Sequence, residues 1–326
     1  MDFQIKKTLK KTIIYDEYWK FAYERQNIFF KKIRDSVGEL TEDPILKLYK
    51  FTNVYRASDR VSQYLIKHII YNDDNDNKNK NIVFKILLFK LFNKIETWTA
   101  FENILSKVNI ESFCLESYKK ILYQLYAEKK SIYSNAYIMT SGRSIFGYER
   151  KFMNHLMLIK TMLDDNISNK IEQCNSLKEL YNLLLSYPMF GPFLAYQFAI
   201  DINYSPIVNF DENEFIVAGP GARSGIYKCF FKAADFTNDY LIRYMVENQE
   251  KEFTRLGLDF IYLGNRTLKL IDCQNIFCEI DKYSRVKYPW ITTFNKRTRI
   301  KQKYIPNSKG IEYFYPPKWG INDFIQ

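Results

Sequence analysis

Residues 187–215, YPMFGPFLAYQFAIDINYSPIVNFDENEF, decide how the rest of the chain is read. Pro188-Met189-Phe190-Gly191 has the composition of a turn. Upstream, SLKELYNLLLSY (176–187) has leucines at helical spacing and opens with Ser176 followed three residues later by Glu179, a capping-box pattern. Downstream, an apolar segment begins at Pro192, and proline suits the first turn of a helix. The stretch therefore predicts helix, tight turn, helix. Gly191 leaves the backbone bare there, and amides at such a turn can face a phosphate without regard to base sequence. Pro188, Phe190 and Gly191 become candidate DNA contacts, with an ordinary hairpin in a core as the alternative. After a break at Tyr204-Ser205-Pro206 come three carboxylates, Asp211, Glu212 and Glu214.

The same periodicity recurs along the rest of the chain. EYWKFAYERQNIFFKKIRDSV (17–37), YRASDRVSQYLIKHII (55–70), NIVFKILLFKLFNKIETW (81–98), SFCLESYKKILYQLYAEKK (112–130), YERKFMNHLMLIKTMLDD (148–165) and TNDYLIRYMVENQEKEFTRL (237–256) all read as helices. The fold class is mostly α. RTLKLIDCQNIFCEI (266–280) fits a short strand or another helix, and NDDNDNKNKN (72–81) reads as a surface loop.

The formal charge is +11, with 47% hydrophobic and 17% aromatic residues in 326. A chain of this make-up builds a real core, and its excess of cations suits a polyanionic partner. Between Lys282 and Lys318 stand ten basic residues and one acid, Glu312, interleaved with Tyr, Phe and Trp, a mixture suited to phosphates and bases together. A solvated basic tail packed by its own aromatics is the alternative. No secretory signal or membrane-length apolar run is present, and five scattered cysteines fit a reduced, cytoplasmic protein. Two histidines, His68 and His155, lack partners at ligand spacing, and Cys273 with Cys278 has no zinc spacing, so no metal and no cofactor are expected.

With the hairpin and its carboxylates in view, the chain resembles the helix-hairpin-helix DNA glycosylases. Tyr187 to Gly191 occupy that group's Leu-Pro-Gly-x-Gly motif, and Asp211 lies twenty residues after Gly191, where the group's catalytic aspartate falls. Met189 replaces the first glycine, and Phe193 stands where bifunctional members carry a lysine. The resemblance implies a fold of two helical lobes with a cleft between them, and a monofunctional enzyme that uses water. A carboxylate in such a place stabilises the cation that forms as a base leaves its sugar. Asp211 is the expected catalytic residue, with Glu212 or Glu214 taking the role in a shifted register; a helix N-cap is the other reading of Asp211.

A second set of segments, FTNVYRASDRVSQYLI (51–66), NAYIMTSG (135–142), DENEFIVAGPGARSGIYKCF (211–230) and DCQNIFCEIDKYSRVKYP (272–289), resembles the alpha-glutamyl/putrescinyl thymine pyrophosphorylase family, which shares the helical domain of 5-hydroxymethyldeoxyuridine DNA kinases. That resemblance implies work on hypermodified pyrimidines of phage DNA, including excision that defends bacteria. From these motifs Asn53, Arg56, Asp59, Tyr137, Gln274, Asn275, Glu279, Lys282 and Tyr283 become candidate catalytic or pocket residues, and Gly219, Gly221, Arg223 and Arg285 candidate DNA contacts. Structural roles compete for each: an Arg56 to Asp59 pair, a Gly-Pro-Gly turn, a buried polar network. The sequence contains no Gly-x-x-x-x-Gly-Lys-Ser/Thr, so kinase activity is not carried over. The expectation is a DNA glycosylase that flips a hypermodified pyrimidine out of phage DNA and leaves an abasic site. The alternatives are a transferase that installs a group on an activated hydroxymethyl pyrimidine and a non-catalytic DNA-binding module. The expected organisation is an N-terminal helical extension (1–44), a glycosylase-like domain (45–290) with the hairpin at 187–193, and a basic aromatic segment (291–326).

Overall fold

The computed structural model describes residues 9–34, 38–72, 78–306 and 310–325. Within them the periodic segments form fourteen α-helices and one two-stranded antiparallel ribbon, β1 (Lys10–Lys11) with β2 (Phe230–Phe231). The mostly α class holds. The backbone divides into two compact units: Met1–Asp59, Ile216–Glu312 and Ile321–Gln326 form the first, Arg60–Phe215 and Tyr313–Gly320 the second.

The first unit opens with α1 (Ile13–Ile33) and α2 (Pro44–Leu48). The chain then builds nearly all of the second unit: α3 (Arg60–Tyr64), α4 (Lys78–Phe92), α5 (Ile95–Leu105), α6 (Leu115–Ala127), α7 (Arg143–Phe146), α8 (Lys151–Asp164), α9 (Ile167–Glu172), α10 (Leu177–Leu185) and α11 (Pro192–Asn203). It returns to the first with α12 (Pro220–Cys229), α13 (Asn238–Arg255) and α14 (Leu270–Lys287).

In the first unit α14 is the central element, and α1, α12 and α13 pack on it. The segment 266–280, readable as strand or helix, is helical from Leu270. Leu270, Gln274, Phe277, Asp281 and Ser284 recur at helical spacing and are all buried, while the Asp272 carboxylate accepts the Lys269 amide at 3.0 Å and closes the first turn. Gly225 on α12 sets the helix spacing: a Cβ there would lie 2.0 Å from the Phe277 carbonyl oxygen. Aromatic edges fill the rest, with Trp19 against Phe253 at 5.0 Å and Tyr18 against Phe277 at 4.8 Å.

In the second unit α4 is buried on every side from Ile82 to Phe92, with Lys85 and Lys90 the only charges in an otherwise apolar run. Residues 78–81 extend it at its start, so the acidic and Asn-rich stretch is shorter as a loop than its composition predicts. Asn81 is itself buried and accepts the Ile110 amide at 2.8 Å. Residues 73–77 of that stretch, 35–37 at the end of the first helical segment, and 1–8 lie outside the described residues. Segment 55–70 also departs from one continuous helix. It runs as a short 3-10 turn (Arg56–Ser58), α3, and a π-helical run over Leu65–Ile70.

The hairpin forms as α10, a turn and α11. The Ser176 hydroxyl accepts the Glu179 amide at 3.1 Å, while the Glu179 carboxylate reaches the Asn175 amide at 2.8 Å. Met189 takes the left-handed backbone that glycine occupies at no steric cost, with φ 69°, and its side chain is buried. Gly142, at φ 67°, gives it room: a Cβ there would lie 2.5 Å from the Met189 sulfur.

Candidate functional site

Two motifs more than two hundred residues apart meet within the first unit. The loop that follows α2 passes along α14, and Asn275 and Glu279, one turn apart on that helix, take hold of it. The Asn275 side-chain amide donates to the Asn53 carbonyl at 2.8 Å and to the Thr52 hydroxyl at 3.1 Å. The Glu279 carboxylate accepts the Thr52 amide at 3.1 Å and pairs with Lys282 at 2.7 Å. From α1, Arg25 donates through Nε to the Thr52 carbonyl at 3.1 Å and through a terminal nitrogen to the Asn53 side-chain oxygen at 3.3 Å. The loop then folds on itself. The Asn53 amide donates to Asp59 Oδ1 at 2.8 Å, and the Asn53 side-chain nitrogen donates to the Ser58 carbonyl at 2.7 Å. Arg56 is buried, and its amide donates to the Asp272 carboxylate at 2.9 Å.

This setting changes the chemistry of Asp59. Burial of its carboxyl pushes the pKa up to about 7, the nearby Glu279 adds to the rise, and the Asn53 amide, Arg25 and Arg56 oppose it. Asp59 as a whole residue is half-buried. A carboxyl pushed toward neutrality, held by the Asn53 amide with the Arg25 and Arg56 guanidinium groups nearby, is equipped to take a proton from a hydroxyl and to return it.

Of the other α14 candidates, Gln274 is buried and accepts the Gly219 amide at 3.3 Å, and the Tyr283 hydroxyl donates to Asp43. Lys282 also donates to the Lys50 carbonyl at 3.2 Å and lies over the Phe51 ring. The glycines of GPGARSG serve the approach of α12 to α14. Gly219 is the N-cap of α12, and a Cβ on Gly221 would lie 3.0 Å from the Cys278 sulfur. Arg223 is exposed over the Phe294 ring. Arg285 is not a surface cation: its side chain is buried and pairs with Asp281, which also holds Lys228 at 3.0 Å.

The second unit's candidates do not gather. Asp211 is exposed, and its carboxylate accepts the Asn213 amide at 2.9 Å within a turn. It therefore lacks the buried setting a cation-stabilising carboxylate needs, and it caps no helix, because ENEFIVA continues as turn and extended chain. Glu212 is buried, whereas Glu214 is exposed and accepts the Leu177 amide at 3.3 Å. Phe190 is buried edge-on to Phe198 at 4.9 Å and so is a core residue; Pro188 and Gly191 are partly exposed. Tyr137, at φ 56°, stacks on Phe193 at 6.0 Å beneath Lys90, whose ammonium makes a buried ion pair with Asp201 at 2.9 Å.

Sequence reasoning passed over Arg25, Thr52, Asp272, the Lys90–Asp201 pair and the Lys228–Asp281 pair. Lys90 and Asp201 carried a signal, since each is a charge inside an otherwise apolar run. Arg25 carried none, because its partners come from another segment. Among the described residues no three His, Cys, Asp or Glu side chains are arranged to hold a metal ion, and no helix is long and apolar enough to cross a membrane.

Comparison with known proteins adds what geometry alone does not. Residues 12–293 match the family described as "5-hmdU DNA kinase, helical domain". The chain is similar to a "5-hmdU DNA kinase" of Bacillus phage SP10, with 25% identity over 324 residues, 93% of this chain and 50% of the relative. It thus spans about half the length of that relative. No solved structure matches. A kinase transfers a group and leaves the base on its sugar, so the kinship overturns the expectation of a hydrolytic DNA glycosylase. The abasic product and defence by base excision fall with it.

Proposed function

Because the chain belongs to the family of the 5-hmdU DNA kinase helical domain, we propose that it serves group transfer to a hydroxymethyl pyrimidine in DNA, phage DNA included. Its part is to bind the acceptor and deprotonate the acceptor hydroxyl. The observation that carries this reading is the Asp59 carboxyl, poised near pH 7 by burial between the Asn53 loop and α14. The hydroxymethyl oxygen attacks the electrophilic centre of an activated donor, its proton passes to Asp59, and the donor's leaving group departs with the electrons of the broken bond. The net charge of +11 favours a DNA acceptor.

The test compares oligonucleotides identical except for thymine or 5-hydroxymethyluracil at one position. Binding is measured first, and mass gain on the base is then followed with a nucleoside triphosphate as donor. The expected result is tighter binding of the hydroxymethyl strand, with a mass gain that rises with pH through about 7. Asp59→Asn is expected to keep the binding and lose the mass gain. Equal affinity for the two strands, or an Asp59→Asn variant with undiminished mass gain, would overturn the reading.

A further inference from the structure

The C-terminal part of the first unit carries a surface that the Asp59 site does not use. After α14 the chain turns twice, with the Ile291 amide donating to the Tyr288 carbonyl and the Lys296 amide to the Thr293 carbonyl, each at 3.0 Å. These turns hold Trp290 73% exposed and Phe294 57% exposed. Exposure of two large rings four residues apart is costly unless something covers them. The rings are not on a loose tail. Ser224 on α12 donates to the buried Asp281 at 2.7 Å and shares a 2.6 Å hydrogen bond with Thr293, while Asn295 donates to Ser224 at 2.7 Å. Arg285, itself fixed by Asp281, donates to the Arg299 carbonyl at 3.1 Å. The segment is therefore pinned to the α12–α14 core on both sides of Phe294. Tyr288 meets Trp290 edge-on at 5.7 Å, Tyr227 meets Phe294 edge-on at 5.5 Å, and Arg223 lies over Phe294.

The charge around these rings selects the partner. Arg223, Lys296, Arg297, Arg299, Lys301 and Lys303 are exposed, and the only acid from 282 to 318 is Glu312. An apolar protein partner would leave those cations without compensation. A nucleic-acid strand supplies phosphates for them and flat faces for the rings. Paired bases hide their faces inside the duplex, so exposed rings reward an unpaired strand.

We propose that the Trp290–Phe294 ledge is a binding surface for single-stranded DNA. Unpaired bases stack on the two rings, which are at most roughly 14 Å apart along the backbone, while Arg223 and the cations of 296–303 track the phosphates. This deepens the acceptor reading by stating in which form the DNA is held. It does not depend on base modification, so it stands or falls separately from the role of Asp59.

Trp290 is its own reporter, because Trp19 and Trp98 are buried and Trp319 is half-buried. The full chain is titrated with an unmodified 12-residue single strand, the corresponding duplex, RNA of the same sequence, and heparin, with tryptophan fluorescence and anisotropy as readouts. The expected result is quenching by the single strand and affinity for it at least tenfold above that for the duplex. Trp290→Ala with Phe294→Ala is expected to lower single-strand affinity by tenfold or more, since each stacked base is worth about 1–3 kcal/mol. Replacing Lys296, Arg297 and Arg299 by Gln is expected to flatten the salt dependence by about 0.7 for each phosphate no longer neutralised. Both variants lie on exposed turns, and their thermal melts are expected to match the parent. Duplex, RNA or heparin binding as tight as that of the single strand would overturn the proposal, as would unchanged affinity in the Trp290 and Phe294 double variant.

Discussion

Gly225 of α12 lies directly against the Phe277 carbonyl of α14, so close that a single added methyl group would sit 2.0 Å from the oxygen. Backbone atoms of two packed helices cannot step aside as a side chain tip can. Gly225→Ala is expected to lower stability by about 1–3 kcal/mol, the usual cost of overpacking a core, and to lower the thermal midpoint. An unchanged midpoint would show that the helices separate freely.

The pH behaviour of Asp59 has an unusual sign for a carboxylate. Its pKa rises on folding from 3.8 to about 7, so the folded state binds the extra proton. The stabilisation is fully present below about pH 4 and is lost as pH climbs through 7. Urea titrations at pH 4 and pH 8 are expected to show the parent losing stability over that interval relative to Asp59→Asn. Parallel curves for the two proteins would refute the raised pKa.

His155 behaves in the opposite way. It is fully buried, with Nε2 2.9 Å from the Thr140 carbonyl and Nδ1 3.1 Å from the Tyr133 hydroxyl, which is the pattern of a neutral ring donating from Nε2. Burial pushes its pKa down to about 4 from 6.5. Its stabilisation is present above pH 6.5 and disappears as pH falls through 4. In an NMR titration the His155 ring signals are expected to stay at their neutral position at pH 5.5, and a midpoint near 6.5 would disprove the assignment.

Met189 and Gly142 share one small space under left-handed backbone at both positions. Gly142→Ala brings two penalties: its positive φ costs about 1–2 kcal/mol, and the new methyl meets the Met189 thioether. Only the second is relieved in Met189→Ala. A double-mutant cycle is expected to show favourable coupling between the substitutions with the φ penalty intact. Strict additivity would mean the thioether moves aside at no cost.

Lys318 donates to the carbonyls of Asn203, Ser205 and Val208, the last two at 2.9 and 2.6 Å. These groups lie at and just beyond the end of α11, where helix carbonyls lack intrahelical partners and a cation is favoured. Lys318→Met keeps the length of the stem and removes the donor. It is expected to cost about 2–4 kcal/mol in urea denaturation, because buried acceptors left unmatched cost roughly 1–3 kcal/mol each.

The features legible in the sequence are those set by near neighbours. Most of the helical periodicity and the helix-turn-helix before Asp211 depend on spacing along the chain, and the structure forms them, although segment 55–70 breaks into a 3-10 turn, a short α-helix and a π-helical run. What spacing could not convey is burial. Asp211 and Asp59 look alike as letters, yet one caps an exposed turn and the other sits where desolvation reshapes its proton affinity. Arg285 and Lys318 count as cations of a basic stripe in the sequence, but tertiary partners turn both inward. Charge composition records how many cations there are and is silent on which of them solvent reaches.

The Lys318 hydrogen bonds also set a clock. The carbonyl of Val208 waits for an ammonium 110 residues later in the chain, and nearly everything made in between belongs to the other unit. At a synthesis rate of about 5–20 residues per second, that wait lasts roughly 5–20 s. Over that interval the end of α11 is open to water, so the unit whose helices are made in one unbroken run is among the last to be sealed.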